Sequence, residues 1–161
     1  MKTRPVIGLL DDDHAVRVAL SRFFNAHKLR SHSFASAQEL FDSIVTDRGP
    51  DCLVVDVQMP EMNGVDVLTA VLRQKPNIPV IMITGREDEH VRAQALGLGA
   101  YAFMYKPVDP NRLLRTIKDA LFAPTNVQWV AFPGEVAADF KRPFATPARP
   151  SHARQTSATA D

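Results

Sequence analysis

An open α/β fold, a parallel sheet covered by helices on both faces, is the class this sequence predicts. Three observations carry it. Short apolar runs rich in β-formers recur along the chain, too short for helices. Amphipathic stretches with helical spacing lie between them. The runs themselves are nearly continuous in apolar residues, as strands buried on both faces are.

In chain order, "PVIGLL" reads as the first strand, and Val16, Leu20, Phe23 and Phe24 fall on one face of the first helix. A weaker run at His32 to Phe34 is the second strand. Ser36 with Glu39 has capping-box spacing ahead of Leu40, Phe41 and Ile44, which predicts the second helix. "CLVV" is the third strand, and Val65, Leu68, Val71 and Leu72 form the third helical stripe. "IPVIMI" is the fourth strand, followed by a stripe of Val91, Ala95 and Leu98. "YAFMY" is the fifth strand. Asp109 before Pro110 reads as an N-cap and a first helical position, leading into Leu113, Leu114, Ile117 and Leu121. The order is β-α five times, with no internal sequence repeat.

Bulk properties narrow the function classes. The chain has 161 residues, a formal net charge of +1 and 45% hydrophobic residues, as a globular domain has. Nothing in that balance would hold it on nucleic acid or a membrane surface. A lone cysteine, Cys52, excludes an intramolecular disulfide framework and reads as a buried small hydrophobe. No signal peptide and no bilayer-length apolar run is evident, so the expected address is cytoplasmic. The histidines His14, His27, His32, His90 and His152 show no metal-ligand spacing, which argues against zinc.

In open α/β sheets, ligands bind beyond the carboxyl ends of the strands. "VIGLL" is followed by Asp11, Asp12 and Asp13, "CLVV" by Asp56, "VIMI" by Thr84 and "FMY" by Lys106. Only the second strand ends without such a residue, which places it at an edge away from the site. Each residue alone has a plain reading: Asp13 as a helix cap, Thr84 as a β-branched strand residue, Lys106 as a solvated charge. Together they suit one task. Converging carboxylates accept a magnesium ion, an aspartate can be phosphorylated, and a hydroxyl and an ammonium can hold phosphoryl oxygens. No Gly-rich phosphate loop is present, so a nucleotide is not expected.

The motifs "LLDDDHAVR", "DCLVVDVQMPEMNG", "IPVIMITG" and "GAYAFMYKPVD" closely resemble, in order and spacing, the receiver domain of two-component response regulators. The look is nearest to receivers attached to helix-turn-helix transcription regulators. The resemblance covers about Pro5 to Phe122. It implies a flavodoxin-like, doubly wound, five-stranded parallel sheet of order 2-1-3-4-5 with five helices. It also implies that Asp56 is the phosphoacceptor. Asp11 and Asp12 form the acidic pair for Mg2+, with Asp12 the direct ligand, Asp11 acting partly through water, and the backbone carbonyl of Gln58 as a further ligand. Thr84 is the switch hydroxyl, and Gly85 leaves room for the phosphoryl group. Lys106 pairs with phosphate or with Asp56, and its bond to Pro107 is cis. Phe103 is the aromatic switch residue, turning inward on phosphorylation. In "MPEMNG", Pro60 and Gly64 set a turn that Met59 and Met62 pack. Gln58 and Arg86 occupy positions that tune dephosphorylation.

The partners so implied are a histidine kinase and a downstream protein, or a second copy, at the face of the fourth helix, fifth strand and fifth helix. Residues 1–123 are then the receiver domain, and 124–161 a Pro/Ala/Thr-rich tail with no recognisable output domain. The tail reads as disordered from about Arg142. Trp129, Val130, Phe132 and Phe140 either dock or take no fixed position. Without a basic reading helix, direct nucleic-acid binding is not expected. The chain would be a stand-alone regulator, a phosphorelay intermediate or a regulator lacking its effector. Two other classes are weighed: a pseudo-receiver that only binds, and an aspartate-nucleophile phosphatase or dehalogenase. The latter usually carries a second acid two residues past the nucleophile, where this chain has Gln58.

Overall fold

The computed structural model describes residues 4–46, 49–123, 128–130 and 142–144. Five β-α units follow in order: β1 Val6–Leu10, α1 His14–Ala26, β2 Arg30–Phe34, α2 Ala37–Val45, β3 Cys52–Asp56, α3 Gly64–Gln74, β4 Val80–Thr84, α4 Glu89–Leu98, β5 Ala102–Tyr105 and α5 Pro110–Phe122. The strands form one parallel sheet of order β2-β1-β3-β4-β5, as expected.

Strand side chains alternate between two cores. Leu10, Leu53, Val55, Val80, Met82 and Phe103 face the layer of α2, α3 and α4. Ile7, Leu9, Val54, Ile81, Ile83 and Met104 face α1 and α5. This period of two, buried on both sides, is why the central strands read as unbroken apolar runs. The edge strand β2 buries one residue, Phe34, and shows the weakest signal for that reason. Cys52 is fully buried, and burial pushes its thiol up to about 12, leaving an unreactive small hydrophobe.

All five helices begin at a side-chain cap. Asp13, Ser36 and Asp109 are caps the sequence signalled; Asn63 and Asp88 are two more. Each contributes about 1 kcal/mol. Glu39 reaches back to the Ala35 N–H at 2.9 Å rather than to that of Ser36, so the capping box spans one residue more than its spacing predicts. In α4 the buried residues are Ala95 and Leu96, while Leu98 in the last turn is exposed. Gly99, at φ 125, ends the helix there, and the Ala100 N–H returns to the Ala95 carbonyl.

Gly97 lies in the last turn of α4, where an added Cβ would meet nothing within 4 Å. Gly97→Ala is therefore expected to stabilise the protein by roughly 0.5–1 kcal/mol through helix propensity alone. A denaturant midpoint shifted upward at unchanged slope is the measurement that checks it.

Beyond α5, β6 Gln128–Val130 and β7 Arg142–Phe144 pair antiparallel, with Trp129 opposite Pro143. The stretch from Arg142, expected to lack structure from its composition, thus begins with a short strand. Docking of Trp129, Val130, Phe132 and Phe140 concerns side chains outside the described residues.

Candidate functional site

The sheet register builds the site. Leu10 of β1 pairs with Val55 of β3, so the residues that follow them, Asp11 and Asp56, are neighbours. Asp56 pairs with Ile83 of β4, which places Thr84 one step further along the adjacent strand. Thr84 pairs with Tyr105 of β5, and the Lys106 N–H donates to the Thr84 carbonyl at 2.7 Å. Four strand ends thus converge on one edge, and β2 lies outside them.

Asp11, Asp56 and Thr84 are almost wholly buried. Lys106 Nζ lies 3.0 Å from Asp11 Oδ2 and 3.2 Å from Asp56 Oδ2. The second oxygen of Asp56 accepts from the Gln58 N–H at 3.1 Å, and that of Asp11 from the Asp13 N–H at 2.9 Å. Burial is the main reason Asp56 sits above the ordinary carboxylate range. The Gln58 N–H pulls it down, the Asp11 charge pushes it up, and Lys106 opposes that push. Burial also disfavours the Lys106 ammonium, but the hydrogen bond and charge of Asp11, with those of Asp56, outweigh it and leave Lys106 raised. One cation serving two carboxylates thereby favours its own charged state.

The three aspartates of the opening cluster have separate positions. Asp13 caps α1, accepting from the N–H groups of Ala15 at 2.8 Å and Val16 at 3.4 Å. Asp12 is exposed and has no hydrogen-bond partner among the described residues. Carboxylate oxygens of Asp11, Asp12 and Asp56 lie within 4.8 Å of one another, the one such group able to hold a metal ion among the described residues. An all-oxygen, carboxylate-rich donor set fits magnesium, and a partner-free Asp12 is available to bind it. A cleft of about 490 Å³ opens beside the cluster, lined among others by Asp12, Gln58, Asn63, Thr84 and Arg86.

The loop after β3 closes tightly. Gly64 donates its N–H to the Val57 carbonyl at 3.0 Å, and a Cβ there would overlap the Asp56 carbonyl oxygen. Only glycine permits this approach. Met59 and Met62 pack on the α2–α4 core, as the motif implies. The Lys106–Pro107 bond is cis. Thr84 Oγ1 accepts from the Arg86 N–H at 3.2 Å. Phe103 lies fully inside that core, its ring edge-on to Tyr105 at 5.7 Å. Phe103 is therefore buried in this structure without phosphorylation. Of the histidines, His14, His27, His32 and His90 are exposed, and His152 lies outside the described residues.

One contact had no counterpart in the sequence reading. Arg17 of α1 reaches back over the start of its helix, and Nη1 donates to the Asp11 carbonyl at 2.6 Å. The available signal was a cation in the first turns of a helix, where the macrodipole disfavours it.

No helix among the described residues is long and apolar enough to cross a membrane. A family model described as the response regulator receiver domain matches residues 7–118. Response regulator protein TodT of Pseudomonas putida is 39% identical over 116 residues, covering 72% of this chain and 51% of TodT. Nodulation protein W of Bradyrhizobium diazoefficiens is 34% identical over 123 residues, covering 76% of this chain and 52% of that protein. The chain spans about half the length of these relatives. A CheY-like response regulator receiver domain protein from Methanospirillum hungatei superposes with a TM-score of 0.70 at 27% identity, covering 74% of this chain and 94% of that one. Similar in sequence to response regulators and in fold to solved receivers, the chain belongs to the response regulator receiver domain family of two-component systems.

Proposed function

We propose that this chain accepts a phosphoryl group from a histidine kinase on Asp56 and so switches a protein-interaction surface. One observation carries the reading: a buried Asp56 carboxylate held between the Gln58 N–H and Lys106, beside two further carboxylates. A phosphohistidine of the kinase is the donor. An Asp56 oxygen attacks phosphorus, the P–N bond breaks, and the histidine leaves with its electron pair and takes up a proton. Gln58 and Lys106 hold the nucleophile in one orientation, which lowers the entropy lost on reaching the transition state. The ammonium of Lys106 and the hydroxyl of Thr84 supply positive charge and a donor for the phosphoryl oxygens. Magnesium, held by Asp11, Asp12, Asp56 and the Gln58 carbonyl, would neutralise the acid cluster and the incoming charge.

Phosphorylation adds charge beside Thr84 and Lys106, and shifts the population of the α4–β5–α5 face toward a form that engages a downstream protein or a second copy. With Phe103 already inside, the shift rests on the Thr84 hydroxyl and the segment after it rather than on bringing that ring in from solvent. The chain acts in the cytoplasm, carries no chemistry beyond its own phosphorylation and dephosphorylation, and leaves nucleic acid to other components.

The test is intact mass after incubation with acetyl phosphate and magnesium. The wild-type chain is expected to gain one phosphate and Asp56→Asn none. No gain with magnesium bound normally would point to a binding module, and steady turnover of phosphate esters to a phosphatase. Asp56→Asn carries a second expectation. Because the folded-state pKa of Asp56 is raised, its favourable contribution is complete below the unfolded value and is lost as pH rises through the folded one. In EDTA at neutral pH, Asp56→Asn should therefore be more stable than wild type, by about 1 kcal/mol. The gap should close on acidification, read as melting temperature against pH.

A further inference from the structure

Every polar group of Asp11 is held by the chain. Its N–H lies 3.4 Å from the Phe34 carbonyl, its carboxylate oxygens accept from the Asp13 N–H and from Lys106, and its carbonyl accepts from Arg17 at 2.6 Å. Asp12 is the opposite case, with an exposed carboxylate and no partner among the described residues. With no partner to lock its rotamer, its backbone is what limits where it can reach. The Asp11 carbonyl belongs to the peptide plane that runs on to the Asp12 Cα, and that plane is rigid. A bond that fixes this carbonyl therefore fixes the plane from which Asp12 projects.

Arg17 makes that bond from an unfavourable place. It sits in the second turn of α1, with its N–H on the Asp13 carbonyl, and turns its guanidinium back across the positive end of the helix. Nη2 lies 3.4 Å from His14 Nδ1, which steadies the fork on its outer side. A planar guanidinium with two directed arms can hold one carbonyl at a set angle, which a mobile ammonium does less well.

We propose that Arg17 is a positioning residue for the acidic cluster: by holding the Asp11 carbonyl it orients Asp12, and so sets the affinity of the Asp11–Asp12–Asp56 group for a divalent cation. The choice of magnesium as that cation rests on the function proposed above. The sign of the effect separates positioning from charge. Removing a nearby positive charge would, by Coulomb's law alone, tighten cation binding. Removing a positioning bond loosens it, and partners of this kind are worth about 10- to 100-fold in metal affinity.

The experiment is calorimetric titration of the full chain with magnesium chloride, comparing wild type, Arg17→Gln and Arg17→Lys. Affinity about tenfold weaker in Arg17→Gln supports the proposal, and unchanged or tighter binding overturns it. If Arg17→Gln does not fold, Arg17→Lys decides alone: weaker binding supports the proposal, and wild-type affinity overturns it. A second readout excludes a merely structural role. The rate of phosphate gain from acetyl phosphate should recover to within about twofold of wild type at saturating magnesium, with only the half-saturating concentration raised. A rate that stays low at saturation overturns the proposal. Failure of the functional reading looks different. If wild type binds magnesium but gains no phosphate, that reading falls while the affinities still judge Arg17. If wild type binds no magnesium, both fall.

Discussion

Lys106→Met is expected to melt roughly 10 °C below wild type when magnesium is withheld, a loss of about 3 kcal/mol. Among the described residues, Lys106 Nζ is the one side-chain cation within 3.2 Å of Asp56 Oδ2, and it binds the almost fully buried Asp11 as well. Without it, two carboxylates face each other with no countercharge, and leaving a buried charge unpaired is the costly half of breaking an ion pair. Acidification should narrow the deficit, because Asp56, whose pKa is raised, takes up a proton and the repulsion is removed. Magnesium should narrow it too, by replacing the lost charge. The rate of phosphoryl uptake should behave differently, remaining about 10²- to 10³-fold low with magnesium saturating. A donor that must meet the phosphoryl oxygens from the β5 side is not replaced by a cation among the aspartates. Melting curves with and without magnesium, beside phosphorylation rates on the same samples, separate the two roles. Recovery of stability and rate together would show that Lys106 acts only as a countercharge.

Gly64→Ala is the second large effect. Its Cβ would overlap the Asp56 carbonyl oxygen and come within 2.7 Å of Val57 Cα, both backbone atoms that no rotamer change can clear. Either α3 is pushed away from β3 or the end of β3 moves. Overpacking of this kind costs about 3 kcal/mol at its upper range. Asp56, the proposed nucleophile, lies on the segment that must yield, and a misplacement of about 1 Å can cost 100-fold in rate. Gly85→Ala is the control. There the nearest atom to an added Cβ is the flexible Gln58 Oε1 at 3.4 Å, so stability should change by under about 0.5 kcal/mol. Chemical denaturation of the two variants measures the contrast, and the phosphorylation rate of Gly64→Ala measures the misplacement.

Much of this architecture was legible in the chain, because burial on both faces writes itself as apolar runs and helical faces as stripes. The residues that close the runs could be read for the same reason: parallel strands deliver their ends to one edge. What escaped has a common physical origin. Arg17 contacts a backbone carbonyl, and a carbonyl has no letter of its own. Asn63 and Asp88 cap their helices through backbone N–H groups, so their roles depend on where a loop ends. Leu96 replaces Leu98 as the buried leucine of α4 because that helix stops at Gly99, a boundary that periodicity alone does not mark. Phe103 was found by position, but its rotamer depends on the packing of α4 over β5, which lies beyond pattern reading.

The countercharge for Asp11 stands 95 positions downstream of it, and that for Asp56 stands 50 downstream. A ribosome therefore finishes both acids well before the strand that relieves them. Until β5 docks, and without a metal ion, β1 and β3 come together with their terminal charges opposed. The final edge strand then adds its apolar seam and the neutralising ammonium in one event. Arrival of this β-α unit is thereby the step at which a nascent chain both completes the five-stranded sheet and neutralises its acidic edge.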